Sequence, residues 1–358
     1  MNILGINPFH NGSVCVLSDG EIIYYLEEER LTKHKHDANP FRVILNVLDN
    51  YKIDEVVIGG INQNDVLLGY TKEDPFYALI RKFYYKPTIN TLQLSQYHHL
   101  LHTYHTYYNS GFKEAIAVII DAGGSYIPDQ GIERESIYVC SPNKIKPLWK
   151  DYWDSKTTPI TSLSTAVMYS HINSLLGFRA SEEGKTMGLS SYGKLNSLIP
   201  PLFEENRSNL DLFYETLDSH NNRKVKNNFN FISPHKSNSL KYSQEEKDLA
   251  WKVQNDTQQI IGNYIEQTIK ETGLKKVCCA GGYFLNCVAN YYLTKRFPDI
   301  EFYFEPLSHD GGTAIGAAYM RQKELFPNFK PNKQKTLYYG SQYSKKDLKT
   351  GIKKYVDN

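Results

Sequence analysis

Four histidines crowd one stretch, His98-His99-Leu100-Leu101-His102, with His105 just beyond. If the stretch is helical, His98 and His102 lie one turn apart on one face and can offer two imidazoles to a single ion. Zinc proteases use paired histidines at this spacing, but the Glu they carry beside the first His is His99 here. His105 lies near the same face, so the choice of pair stays open, as does a plain His-rich exposed helix. Two carboxylates are candidates to complete a ligand set. Asp121 ends the apolar run Ala115-Ile-Ala-Val-Ile-Ile, and Asp310 sits in Ser308-His309-Asp310-Gly311-Gly312. Two imidazoles with two carboxylates suit Fe(II), Mn(II) or Zn(II). An Asp before Gly also commonly caps a turn or helix, and each could do only that.

Glycine turns are the second signal. Gly123-Gly124, Gly281-Gly282 and Gly311-Gly312 each follow a strand or loop, and the last two open a helix, the first of these with Asn286. Missing side chains let backbone approach phosphate, and a helix N-terminus adds favourable partial charge. None is a P-loop or a dinucleotide fingerprint, and a lone Gly-Gly is often just a tight turn. Gly184-Lys185-Thr186 mimics the end of a P-loop, but the upstream Gly is missing at the required place. Lys185 stays a candidate phosphate contact in what otherwise reads as a surface loop. Near the N-terminus, His10 of His10-Asn11-Gly12-Ser13 can take a proton from a hydroxyl. Lys35, in Lys35-His36-Asp37, can hold an anionic group.

These residues need elements to position them. Asn2–Asn7 reads as a strand, and Ser13–Ser18 and Glu21–Glu27 as a hairpin turning at Asp19-Gly20. Phe41–Asp49 has helical periodicity, and Glu55–Ile58 is a buried strand ending in glycines. The pattern predicts helices over Leu92–Tyr108, Ser162–Phe178, Leu249–Thr272, Asn286–Thr294 and Thr313–Leu325. Strands are predicted at Ala115–Ile120, Lys276–Ala280 and Glu301–Phe304, and Ser219–Glu246 reads as a polar surface insertion. The domain expectation is one α/β lobe over 1–160, a second over 161–330, and a tail over 331–358.

The chain has 358 residues and a formal net charge of +2. That near balance argues against a nucleic-acid-coating or polybasic membrane protein. Apolar residues at 41% and charged residues at 22% fit a globular chain rather than a disordered one. No apolar stretch of about 18 residues is present to span a bilayer. The N-terminal residues do not read as a secretion signal. Five cysteines, an odd number, read as reduced thiols, and the expected location is cytoplasmic.

The motif series His-Asn-Gly-Ser, Glu-Glu-Arg-Leu, Lys-His-Asp, His-His-Leu-Leu-His, Ile-Asp-Ala-Gly-Gly, Gly-Lys-Thr-Met-Gly-Leu-Ser-Ser-Tyr-Gly, Gly-Gly-Tyr-Phe-Leu-Asn-Cys and His-Asp-Gly-Gly resembles the O-carbamoyltransferase family over about residues 1–325. That family includes nodulation protein U and the antibiotic carbamoyltransferases. The resemblance implies an α/β, bilobal, TsaD-like fold of the actin-like ATPase and sugar-kinase type. It implies that carbamoyl phosphate and ATP give carbamoyl adenylate, whose carbamoyl group moves to an acceptor alcohol. It also implies an iron-type ion on His98, His102, Asp121 and Asp310, a nucleotide against the turns at Gly123, Gly281 and Gly311, His10 near the transfer, and Lys35 near the adenylate. Other readings are a TsaD-like transferase acting on tRNA, which the charge balance disfavours, and a non-catalytic actin-like nucleotide switch. The chain departs from the family in three ways. His10 is followed by Asn11 where Asp is usual, the Asp121 turn is Ala-Gly-Gly, and Leu337–Ser344 resembles only the opening of a YrdC-like domain. The adenylating half is therefore expected from a YrdC-like domain or partner.

Overall fold

The computed structural model describes residues 1–60, 90–153, 162–204, 207–209, 242–340 and 344–356. Two sheets organise them. In the first, β1 (Asn2–Asn7), β2 (Ser13–Ser18), β3 (Glu21–Glu27), β4 (Glu55–Ile58) and β5 (Asn90–Gln93) lie in the order β3-β2-β1-β4-β5. β1 pairs antiparallel with β2 and parallel with β4. The second sheet holds β6 (Ala115–Ile120), β7 (Tyr126–Ile127), β8 (Gly131–Ser141), β9 (Lys144–Trp153), β12 (Lys276–Ala280) and β13 (Glu301–Phe304). Its order is β13-β12-β6-β8-β7, with β9 on β8; a two-residue pair, β10 (Phe203–Glu204) and β11 (Arg207–Ser208), stands apart.

The helices are α1 (Glu29–Thr32), α2 (Phe41–Asn50), α3 (His98–Ser110), α4 (Thr165–Leu175), α5 (Glu183–Ser190), α6 (Gln244–Thr272), α7 (Cys287–Arg296), α8 (Thr313–Leu325) and α9 (Lys345–Val356). Helices α3 and α8 pack on each other between the two sheets, α8 against β1, β2 and β4, and α3 against β6, β8, β12 and β13. Strand alternation explains how the layers form. In β6, Ala115, Ala117 and Ile119 face the central helices, while Ile116, Val118 and Ile120 face the outer core with α4 and α6. In β1, Ile3 faces the central layer, and Leu4 and Ile6 pack with α2.

The central layer is lined by small residues, which lets the helices come close. A Cβ on Gly316 of α8 would sit 2.0 Å from the Leu101 carbonyl oxygen of α3, and a Cβ on Gly5 of β1 would sit 2.0 Å from that of Ala314. The small-residue character read from Thr313–Leu325 has this packing as its consequence, and that helix keeps its predicted bounds.

Several elements differ from expectation. The first histidine helix begins at His98, because Asn90–Gln93 pairs with β4 as a strand. The stretch Ser162–Phe178 is helical only over Thr165–Leu175. Residues 183–190 are a helix, not a loop. Of the polar stretch 219–246, residues 219–241 lie outside the described residues. The remainder starts α6, where Ser243 and Glu246 form a reciprocal capping box. The second sheet takes strands from both sides of residue 160, since β6 pairs with β12 and β12 with β13, and α8 packs on the first sheet. Among the described residues no helix is long and apolar enough to cross a membrane.

Two glycines separate packing from propensity. Gly316→Ala should destabilise the fold by about 1–3 kcal/mol, because α8 must back away from a carbonyl. Gly188→Ala in α5, where a Cβ meets nothing within 4 Å, should be neutral or stabilising by up to about 1 kcal/mol. Urea titration of both variants decides it; equal midpoints would contradict the close approach.

Candidate metal centre and adjoining cavity

Helix α3 presents His98 and His102 from one face, with ring centroids 4.7 Å apart. Both rings are fully buried. His98 Nδ1 donates to the Gly60 carbonyl at 2.8 Å, which leaves Nε2 as the ring's candidate ligand atom. That Nε2 lies 3.2 Å from Asp121 Oδ2 and 3.7 Å from Asp310 Oδ1. His102 Nε2 lies 3.5 Å and 3.7 Å from the same two oxygens. Neither nitrogen of His102 has a hydrogen-bond partner, although the ring is buried. The four ligand atoms fall within 4.8 Å of one another. Ligands each about 2.1 Å from one ion stand about 3.4 Å apart in a tetrahedron, so these separations suit a shared cation better than direct contact.

Both carboxylates arrive at element ends. Asp121 follows β6, its backbone N–H donating to Arg134 and its Oδ1 accepting from the Ala122 N–H. Asp310 starts the turn leading into α8, and its carbonyl accepts from the Thr313 hydroxyl. Burial and the neighbouring Asp310 push the Asp121 carboxyl up, but the facing rings of His102 and His98 outweigh them and lower it to about 2. Asp310 is likewise held well below the usual range: burial opposes its charge, and His98, His10 and His102 more than offset that. For His102, burial disfavours the charged ring, yet the two carboxylates raise it to about 9.

The other histidines of α3 face elsewhere. His99 Nδ1 meets the Ser136 hydroxyl at 2.7 Å, and burial lowers this ring to about 4. His105 Nε2 is 3.4 Å from Glu305 Oε1. Burial drives His105 well below the imidazole range and lifts Glu305 to about 7, so an uncharged His105 forms no ion pair with it. The choice of pair left open by spacing is thus resolved by packing: His98 and His102 share one site with the two carboxylates, and His105 does not.

A cavity of about 290 Å³ opens beside this cluster. Asp121, Asp310 and His10 reach it, facing Gly184, Met187, Gly282 and Asn286 across it. His10 Nε2 lies 3.1 Å from Asp310 Oδ2, and that carboxylate raises the ring to about 9 by hydrogen bond and charge. The acid missing beside His10 in the sequence is therefore supplied by a residue 300 positions away. Gly282 and Asn286 line the cavity, and the Asn286 side chain caps α7 by accepting from the Ala289 N–H at 3.0 Å.

The remaining candidates sit differently. Gly281, at φ +97, passes so close to Ile120 that a Cβ would lie 2.2 Å from its carbonyl oxygen; it joins β12 to β6. Gly124 lies against the His99 ring, Gly312 against the His105 ring, Gly311 against His309 and Tyr25, and Gly123 near Arg134. None of these five lines the cavity. Lys185 is exposed and pairs with Glu182 at 2.6 Å. Lys35 is exposed and outside the lining, whereas its neighbour His36 is part of it. Sequence reasoning also passed over Gly184, a helical glycine that lines the cavity with nothing within 4 Å of its would-be Cβ.

The stretch 71–319 matches the family model described as Carbamoyltransferase N-terminus. The nodulation protein NolNO of Sinorhizobium fredii (strain NBRC 101917 / NGR234) is 26% identical over 365 residues, covering 92% of this chain and 49% of its own length. The chain spans about half the length of the curated relatives it matches. Among solved structures, HypF of T. kodakarensis superposes with a TM-score of 0.60 at 12% identity, over 91% of this chain and 48% of that one. Full-length HypF in a phosphate- and nucleotide-bound form gives 0.54 at 13% identity, over 91% and 56%. The α/β arrangement of two sheets around a shared helical layer is that expected of the bilobal actin-like ATPase and sugar-kinase fold.

Replacing His98 and His102 together by Ala should abolish tightly held divalent metal in elemental analysis; full retention would remove them as ligands. With His102 held at about 9, its Nε2 carries a proton at neutral pH that an ion must displace. Apparent Mn(II) affinity should therefore climb from about pH 6.5 towards 9, and a flat calorimetric profile would contradict the assignment.

Proposed function

The chain belongs to the carbamoyltransferase family, and from that premise we propose that it moves a carbamoyl group from carbamoyl adenylate, made from carbamoyl phosphate and ATP, to the hydroxyl of a small-molecule acceptor. One observation carries the reading: His98, His102, Asp121 and Asp310 converge on one point, and two of them, Asp121 and Asp310, line a cavity that also offers an imidazole and glycine backbone.

The donor set, two nitrogens and two oxygens with an orphaned buried His102, fits a divalent ion such as Fe(II), Mn(II) or Zn(II). Such an ion, when bound, supplies Lewis-acid stabilisation of charge developing on a carbonyl or phosphoryl oxygen. The chain's own groups do the rest. As the acceptor oxygen bonds to the carbamoyl carbon, the bond from that carbon to the adenylate oxygen breaks, AMP departs, and the hydroxyl proton must be taken up. His10, once neutral, can accept it, and Asp310, 3.1 Å from Nε2, stabilises the imidazolium that results. Gly184 and Gly282 leave backbone open to the nucleotide. Asn286 is fixed by Gln254, whose Oε1 accepts from its Nδ2 at 2.9 Å, and so offers a set amide to the same ligand. Formation of the adenylate is assigned to a YrdC-like domain or subunit, the proposed partner.

The test supplies metal-loaded protein with carbamoyl phosphate, ATP, a YrdC-like polypeptide and a panel of alcohols, and looks for an added carbamoyl group by mass. Product is expected, and His10→Ala should lower the rate by about 10²-fold or more. Folded, metal-loaded protein that transfers from no carbamoyl donor would sink the proposal. Gly184→Ala should leave stability unchanged or slightly raised while weakening nucleotide binding, as read by thermal unfolding and calorimetry; unchanged nucleotide affinity would remove that wall from the site.

A further inference from the structure

Two non-glycine residues in the left-handed region meet at the edge of the cavity: Asn11 at φ +56 and His36 at φ +58. Such backbone is uncommon outside glycine, and it gathers at sites where the surroundings hold it in place. Here the two loops hold each other. The Gly12 N–H donates to the Asp37 carbonyl at 2.7 Å, and the Asn11 N–H to the His36 carbonyl at 3.4 Å. The His36 N–H donates to Glu29 Oε2 at 2.8 Å. Both side chains line the cavity.

The side chains form a directional relay. His10 is flanked by two acceptors, Asp310 Oδ2 at Nε2 and Asn11 Oδ1 at Nδ1, 3.1 Å away in each case. With its oxygen accepting from His10, the Asn11 amide turns its nitrogen to His36 Nδ1 at 3.2 Å, nearer than its oxygen at 3.4 Å. His36 Nδ1 is then an acceptor, and the neutral ring carries its proton on Nε2. No partner for Nε2 occurs among the described residues. Lys35, the residue the motif series singled out, is exposed and outside the lining.

We infer that His36, held by Asn11 in the Nε2–H tautomer, donates a hydrogen bond to a phosphoryl oxygen of the nucleotide in this cavity. This rests on the reading of the cavity as the nucleotide site. The Asn11 that stands where the family usually has Asp is what makes the relay directional, since an amide both accepts from His10 and donates to His36, and a carboxylate could only accept.

The experiment is calorimetric titration of ADP into the full chain with Mn(II), for wild type and four variants, with thermal unfolding run alongside. His36→Ala and His36→Asn should weaken ADP about tenfold or more, the size of a lost hydrogen bond to a charged group. His36→Gln, whose side-chain N–H lies near the position of imidazole Nε2, should recover most of that loss, and Lys35→Ala should bind within about twofold of wild type. A purely structural role would move Tm in step with affinity and would not distinguish Gln from Asn. Wild-type-like binding by His36→Ala, or equal losses for Gln and Asn, overturns the inference while leaving the cavity's nucleotide reading intact. Absence of ADP binding by wild type overturns that reading, and the inference falls with it.

Discussion

Burying two carboxylates within a few ångströms of each other is the constraint around which this molecule is organised. Asp121 and Asp310 are almost wholly buried, at 7% and 4% exposure, and each opposes ionisation of the other. Removing an isolated carboxylate from water costs several kcal/mol, and a like-charged neighbour adds to that. Both stay ionised because His98, His102 and His10 surround them. The contacts to His102 are too long for good hydrogen bonds, so that ring compensates by charge across a gap.

The close-packed middle layer is what makes that geometry reproducible. His98 and His102 stand on α3, Asp310 at the root of α8, and Asp121 at the end of β6, three elements from distant parts of the chain. Gly316 sets α8 against the α3 backbone, and Gly281 sets β12 against the end of β6 just before Asp121. Other links tie the same ends together: Ser13 Oγ donates to the Gly311 carbonyl, Ser308 Oγ to that of Gly281, and the Gly60 N–H to Thr313 Oγ1. Glycines that read in sequence as phosphate loops thus serve largely to bring ligand-bearing backbones together. The two uses share one local signature, a turn without side chains, and only the identity of the opposing atom separates them. That atom belongs to a residue far away in sequence, which is why local reading could not tell Gly124 or Gly312 from Gly282.

The same argument divides what was legible from what was not. Strand β6 was readable because burial on both faces leaves an unbroken apolar run, and α8 because small residues recur along a helix. The metal pair was readable as a spacing, but its separation from His105 depended on Glu305 standing opposite that ring. The β8–β9 hairpin was missed because its inward residues include Glu133, Arg134 and Glu135, all buried. Their partners are found only in the fold: Lys150 for Glu133, Thr165 for Glu135, and the Trp153 ring for Arg134. Charge in a strand reads as solvent exposure unless its partner is known. Lys35 drew attention as a cation, yet a loop turned by left-handed residues at 33 and 36 places the adjacent imidazole at the cavity instead.

The cavity also has two walls of different character, and the difference bears on how one scaffold could serve different acceptors. On the inner side, several of the candidate ligating and proton-handling groups are fixed by a second partner: His98 by Gly60, His10 by Asn11, Asp121 by the Ala122 N–H. Any shift there must repack a layer wedged between two sheets, at the cost typical of strained cores. The outer side comes from α4, α5 and the turn before α7, where Gly184 and Gly188 meet no neighbouring atoms, and Leu285 is 54% exposed. The exposed positions there, Gly184 and Leu285, can change size without disturbing the core, whereas Ala166, Tyr169 and Tyr283 belong to it. Chemistry built on the inner wall and selectivity drawn from the outer one is the arrangement that lets a fixed reaction accept new partners, since only the cheap wall has to vary.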